Sequence, residues 1–250
     1  MFFIDYTNIV FHAYNFADKK QEVIQRKREI LTSVFTYYKT SPKSILFVGF
    51  NPAIMDMPGY NITVTQISDE ALASIRAVNP QVAHVKWEHL LTDADQFDAV
   101  IAMDEYLTFA DSDETQRRQL EQICIMARQL IITTLRDYKN QGFKDREFSI
   151  PSVIRNNDLH KMFLEYHDYE MQDRNAWTRS VYEISGDTMQ SYCGFKCRQM
   201  FFKQCAKFSI DAGAKDFLVH KNLMYKSLIK KNYEHVISIK FEQNGYNKSS

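Results

Sequence analysis

The chain has 250 residues, with 31 Lys+Arg balanced by 31 Asp+Glu, 45% apolar residues and 25% charged ones. That mix excludes a disordered, collagenous or coiled-coil chain, and no run approaches the ~20 uncharged apolar residues of a membrane span. Four Cys are too few for a disulfide scaffold in a chain this long, and the seven Gly never fall together as a dinucleotide fingerprint or a Walker loop requires. No basic residue precedes the apolar start Met1-Phe2-Phe3-Ile4, so no signal peptide is read and a reducing, cytoplasmic setting is expected.

The neutral total hides a split. Residues 196–250 carry +7 and residues 1–195 carry −7. The two parts can dock on each other, or the basic part can meet a polyanion.

In chain order, residues 2–16 are aromatic-rich and fit a short strand or a helical turn. Val23, Ile24, Ile30, Leu31, Val34, Phe35 and Tyr38 then fall at helical spacing, which predicts a helix over 19–38 that stops before Pro42. An apolar run at 44–50 ends at a glycine. A β-branched strand follows at 62–67, and Ser68 caps a helix over 69–78. Strands are predicted at 82–87, 97–103 and 130–134. Before the last of these runs a long helix capped by Ser112 or Asp113, with Leu120, Ile123, Cys124, Ala127 and Leu130 as its stripe. Strands alternating with helices, as continuous apolar runs, predict a doubly wound and mostly parallel sheet covered on both faces. Beyond a charged loop at 137–147, the pattern predicts a helix from about 157, a strand at 177–184 with a turn at Gly186-Asp187, helices at 200–210 and 223–231, and a last strand at 235–241. Gly213 stands where a helix C-cap glycine would.

In such a sheet the ligand lies beyond the carboxyl ends of the strands. The loops to watch are Gly49-Phe50-Asn51-Pro52, Gln66-Ile67-Ser68, Trp87-Glu88-His89 and Met103-Asp104-Glu105-Tyr106. Over 44–140 the order and spacing of Ile45-Leu46-Phe47-Val48-Gly49, Gln66-Ile67-Ser68-Asp69, Phe97 to Asp104 and Leu130 to Tyr138 resemble the class I S-adenosylmethionine-dependent methyltransferases. The resemblance implies an α/β Rossmann-like core, S-adenosyl-L-methionine as cofactor and methyl transfer to an acceptor, small or macromolecular, that the sequence does not name. It implies cofactor contacts at Gly49, Phe50, Asn51, Gln66, Trp87 and Glu88. Asp104 and Tyr106 would orient the acceptor or take its proton.

Two departures stand out. Phe47 replaces an acidic residue in the first motif. Gln66 replaces the acidic residue that accepts from the ribose hydroxyls, so charge assistance is lost there. A catalytically inactive scaffold or interaction protein is the alternative. A nucleic-acid binder working through the basic C-terminal segment is a second alternative and is not favoured, and no membrane association is expected. Residues 88–114 carry nine acids and no Lys or Arg, which predicts a mouth hostile to polyanions.

The spacing of Cys193, Cys197 and Cys205 does not suit zinc, and no metal is expected. His160 and His167, seven apart, would share one helix face as structural histidines. The expected organisation is a helical segment at 1–42, the core at 43–195 and a basic segment at 196–250 that completes the same domain. Its strand at 235–241 would add at the sheet's edge.

Overall fold

The computed structural model of the chain describes residues 2–92, 96–136, 146–173, 175–230 and 233–242. Its aromatic-rich start is a helix, α1 (Phe2–Phe16), followed by α2 (Lys20–Tyr37). Then come β1 (Ser44–Val48), β2 (Asn61–Thr65), α3 (Asp69–Val78), β3 (Ala83–His84), α4 (Trp87–Thr92), β4 (Phe97–Ala102), α5 (Asp113–Met126) and β5 (Ala127–Leu135). The caps lie where the sequence puts them: Ser68 accepts from the Ala71 amide and Ser112 from the Thr115 amide.

Two boundaries moved. The third strand is two residues long, because a turn closed by His89 N–H on the Lys86 carbonyl starts α4 at Trp87. Ala127 and Leu130 belong to β5 and not to the stripe of α5, since the chain leaves the helix at Met126 with no intervening loop. Of the charged loop, residues 137–145 lie outside those described.

The main sheet has seven strands in the order β11-β12-β5-β4-β1-β2-β3. Strands β1 to β5 run parallel, and β1 pairs β4 from Ile45↔Ala99 to Phe47↔Ile101. The order reverses beside β1, which has β2 on one flank and β4 on the other. Strand β12 (Tyr233–Lys240) is antiparallel to both β5 and β11 (Asp216–Lys226). It is therefore an interior strand and not the expected edge. Val236, Ile237 and Ile239 are fully buried, which requires cover on both faces. The helix expected at 223–231 is instead the end of β11 and the turn after it.

The other large correction lies at 146–198, where a second, antiparallel sheet replaces the expected helix. It comprises β6 (Arg146–Phe148), β7 (Ser152–Asn156), β8 (Leu159–Tyr169), β9 (Ala176–Ser185) and β10 (Thr188–Arg198). In β8 the apolar residues Leu159, Met162, Phe163, Tyr166 and Tyr169 mimic helical spacing. The buried face, however, carries Phe163, Glu165 and His167, two of them polar. Buried charge inverted the period on which the sequence reading relied. Asn157, in a left-handed conformation (φ 54°), makes the hairpin turn between β7 and β8. On a strand, His160 and His167 point to opposite faces, and only His167 is buried. Helix α6 (Phe202–Asp211) follows, ended by Gly213 at φ +92°.

Helix α1 is apolar on nearly every side and is buried between the carboxyl edge of the main sheet and the second sheet. No described helix is long and apolar enough to cross a membrane.

Strands β11 and β12 cover one flank of β5 along six paired positions. Expression of residues 1–195 alone is expected to give an insoluble or molten product, with helical far-UV but lost near-UV circular dichroism. A soluble fragment that unfolds cooperatively would contradict this dependence.

Candidate active-site cleft

Four left-handed residues gather at the carboxyl edge of the parallel strands: Gly49 (φ 85°) after β1, Gln66 (56°) after β2, and Asp104 and Glu105 (57° and 58°) after β4. Three of them are not glycine, and such conformations cost about 1–2 kcal/mol each. Strain of this kind persists only where the surroundings hold it, and it clusters at functional sites. Here the Glu105 amide donates to Thr134 Oγ1 at 3.1 Å, and the Gln66 carbonyl accepts from Thr7 Oγ1 at 3.1 Å.

Helix α1 closes this edge. A Cβ on Gly49 would lie 2.6 Å from Thr7 Cγ2 and 2.8 Å from Phe3 Cε1, so the space a ligand would need above the glycine holds α1 side chains. The Phe3 ring packs edge-on against Tyr106 and Phe109, with centroids 4.9 and 5.2 Å apart. The remaining space between Gly49's neighbours and Asp104 is about 0 Å³, too small for one water molecule. Helix α1 is also tethered along β2 and α3. Ser68 Oγ donates to Asn8 Oδ1 at 2.7 Å, and His12 Nε2 meets Glu70 Oε2 at 3.2 Å.

The other expected contact residues are placed as follows. Phe50 is buried against Phe11 and Tyr14 of α1. Asn51 is buried and caps a short 3₁₀ turn through the Ala53 amide, while its Nδ2 reaches Met103 Sδ at 3.4 Å. Trp87 is half-buried and packs edge-on against Tyr106 at 6.2 Å; Glu88 is exposed. Burial raises the Tyr106 phenol well above its ordinary pKa, so it stays protonated and cannot accept a proton. Asp104 is buried. Its Oδ2 accepts from the Tyr225 hydroxyl, and its Oδ1 has no hydrogen-bond partner among the described residues.

Of the nine acids at 88–114, Asp98, Asp104 and Glu105 are buried, while Glu88, Asp111, Asp113 and Glu114 are exposed. Glu105 turns inward to a buried ionic cluster, accepting from Arg179 of β9 at 2.8 Å and from Lys230 at 2.5 Å through one oxygen. Lys230 also meets Glu234 of β12 at 3.3 Å. Glu165 of β8 accepts from the Tyr6 hydroxyl of α1 at 3.1 Å and meets His167 at 3.3 Å. The Arg179 guanidinium lies over Phe109 and Tyr6, at 5.1 and 5.5 Å. Asp98 is at the opposite end of β4, held by the Lys43 and Ser44 amides and by Arg128.

Burial pushes both Glu105 and Glu165 upward, but neighbouring cations outweigh it. Lys230 and Arg179 hold Glu105 well below the usual carboxylate range, and Arg179 with Lys230 holds Glu165 down at about 2. Glu234 is the reverse case. Burial is larger there than the pull of Lys230, and its pKa rises to about 7.

None of Arg179, Lys230, Glu234, Glu165, Tyr6 or Thr7 was singled out from the sequence. Glu105 was named within the loop Met103-Asp104-Glu105-Tyr106 and among the nine acids, with no role of its own. A lone Arg inside Trp177-Thr178-Arg179-Ser180-Val181 was the one available signal, and it has the same look as an ordinary solvent-facing strand residue.

No protein-family model matches the sequence, and no curated protein matches it either. Solved structures do match. DesVI of Streptomyces venezuelae aligns at 12% identity with a TM-score of 0.68, covering 94% of this chain and 98% of that one. An S-adenosylmethionine-dependent methyltransferase of Clostridium acetobutylicum aligns at 10% identity and TM-score 0.63, covering 87% and 91%. CalS10, an amino pentose methyltransferase of Micromonospora echinaspora solved with S-adenosylmethionine bound, aligns at 11% and 0.59, covering 91% and 92%.

Two measurements probe this cleft. Gly49→Ala adds a methyl group where Thr7 and Phe3 already pack, at a left-handed φ, and is expected to destabilise by about 2 kcal/mol or more in urea unfolding. A neutral effect would mean that α1 is not seated on Gly49. The second concerns Glu234. Between about pH 4.5 and 7 the folded chain keeps a proton on it that the unfolded chain has lost, so its contribution to stability falls as pH rises. Glu234→Gln is expected to gain about 2 kcal/mol on wild type over that interval. Parallel pH–stability curves for the two proteins would refute the raised carboxyl.

The strand order with its single reversed strand, the switch point beside β1 and the near-complete alignments agree: the chain has the fold of the class I S-adenosylmethionine-dependent methyltransferases.

Proposed function

We propose that this chain is an S-adenosylmethionine-dependent methyltransferase whose cofactor cleft is gated by its own helix α1. One observation carries the reading: Gly49, Gln66, Asp104 and Glu105 are all held left-handed at the carboxyl edge, around a buried Asp104 Oδ1 that lacks a partner. The fold alone accounts for the glycine. The ionic cluster accounts for the turn at Asp104 and Glu105; neither accounts for left-handed Gln66 or for the unmet Asp104 Oδ1 at the edge where a ligand would sit.

With α1 seated, the residues do not admit the cofactor. A ligand of that size takes several hundred Å³, and the space beside Gly49 holds none. Binding therefore requires Phe3 and Thr7 to leave, and no chemical step is assigned in the closed arrangement. In the open one, Asp104 Oδ1 is an acceptor for an N–H or O–H of the methyl acceptor. Tyr106 can only donate, and Glu105 is already neutralised by Arg179 and Lys230. CalS10, an amino pentose methyltransferase, supports a small-molecule acceptor, since it aligns over 91% of this chain.

The filled cleft and the missing acid at Gln66 favour a second reading, a scaffold that kept the fold without the chemistry. Titration calorimetry with S-adenosylhomocysteine separates the two. Wild type is expected to bind with a Kd weaker than about 1 μM. Phe3→Ala is expected to bind about tenfold more tightly, because the gate then opens at less expense of buried aromatic surface. Gln66→Glu is expected to tighten binding by about fivefold through a charge-assisted ribose contact. No binding by any of the three at millimolar ligand would establish the sealed scaffold.

A further inference from the structure

Away from that cleft, α2, β7 and the end of β11 enclose an open cavity of about 540 Å³. Its floor and sides are apolar at Val23, Ile30, Ile154 and Leu228, and Val153 and Tyr233 stand more than half exposed at its rim. Its charge is one-sided. Arg26, Lys27, Arg155 and Lys226 line it, and none of them has a carboxylate partner among the described residues. Of its two acids, Glu22 is paired with Lys19 at 3.3 Å, which leaves Asp18.

Two buried groups make this more than a basic patch. Lys27 is only 6% exposed. Its ammonium lies 3.4 Å over the Tyr225 ring and donates to the Lys226 carbonyl; no carboxylate among the described residues pairs with it directly, and Asp104 and Glu234 act on it only through space. Burial draws its pKa down to about 8. An unpaired buried cation is a standing expense unless something anionic completes it. Ser227, also lining the cavity and 2% exposed, has a buried hydroxyl with no hydrogen-bond partner. Native interiors seldom leave such groups unmet, and those that remain call for an explanation.

We propose that this cavity is a binding site for a small amphipathic organic anion, with its carboxylate or phosphate at Lys27, Arg155 and Ser227 and its apolar body along Val23, Ile30 and Tyr233. The volume is that of a small-molecule site, and the unpaired cations supply the charge complement. The site is independent of the methyltransferase reading, because none of its residues lines the cleft at Gly49.

Fluorescence titration of the full chain with 1-naphthyl phosphate tests it, beside 1-naphthoate, inorganic phosphate and the neutral 1-naphthalenemethanol. Saturable one-to-one binding of the aryl phosphate is expected, with the neutral alcohol at least about tenfold weaker. The carboxylate arm tells which anion is preferred. Lys27→Met is expected to weaken binding by about tenfold and exposed Arg155→Gln by about threefold. Lys27→Met should also raise Tm, since the unpaired buried charge is gone. Should Lys27→Met fail to fold, the exposed pair Arg26→Gln with Arg155→Gln decides the matter by the same loss. Equal binding of the neutral alcohol, equal binding of bare phosphate, affinities within twofold across the variants, or no saturation by about 5 mM would each overturn the proposal.

Discussion

The Glu105 carboxylate, buried between Arg179 and Lys230, joins four separate pieces of this chain. Glu105 comes from the loop after β4 and Arg179 from the second sheet. Lys230 comes from the turn before the last strand, and Tyr6 brings α1 in through Glu165. Charges taken out of water gain from each other only where geometry and further hydrogen bonds repay desolvation. Each piece is therefore held to its place by the others, and the two sheets cannot shift relative to each other without exposing an unpaired buried charge. The same cluster explains the backbone at Asp104 and Glu105. The left-handed turn that would be strained in isolation is what aims the Glu105 carboxylate inward, and the Thr134 hydroxyl fixes it from beneath.

Helix α1 depends on that cluster and in turn determines the state of the cleft. Aromatic residues on several of its faces are buried at once: Phe3 toward Tyr106 and Phe109, Tyr6 toward Phe195, and Phe11 toward Phe50. Each such ring contributes roughly 1.5–3 kcal/mol by burial, which sets the scale of what opening must overcome. The polar tethers to Gln66, Ser68 and Glu70 are weaker and sit nearer to water, so they set where α1 rests more than how strongly it is held. With α1 packed over the glycine-ended strand, the buried Asp104 Oδ1 has no hydrogen-bond partner among the described residues.

What was legible in the sequence follows from ordinary hydrophobic periodicity. In β1, β4 and β5 the apolar runs are continuous because both faces are covered, and Ser68 and Ser112 cap their helices through the residue types that do so best. Those features placed the parallel strands and the loop ends where a site belongs. The reading failed where the interior is polar. Strand β8 buries Glu165 and His167, so its inward face looks like a solvated one. The segment around Leu223 to Ile229 has apolar residues at helical spacing although it is a strand end and a turn.

The sequence by itself determined the fold class, the strand that begins the switch point and the glycine at its end, because local propensity and burial pattern act within a few residues of the chain. Only the tertiary structure decided that the cleft is filled, that Glu105 after β4 is paired with two buried cations and that Lys27 is buried without a direct carboxylate partner among the described residues. Those facts depend on groups between 42 and 199 positions apart meeting in space, Gly49 with Thr7, Glu105 with Arg179 and Lys27 with the Lys226 carbonyl among them. A buried charge and a solvated one are written with the same letter, and only packing around it determines which it is.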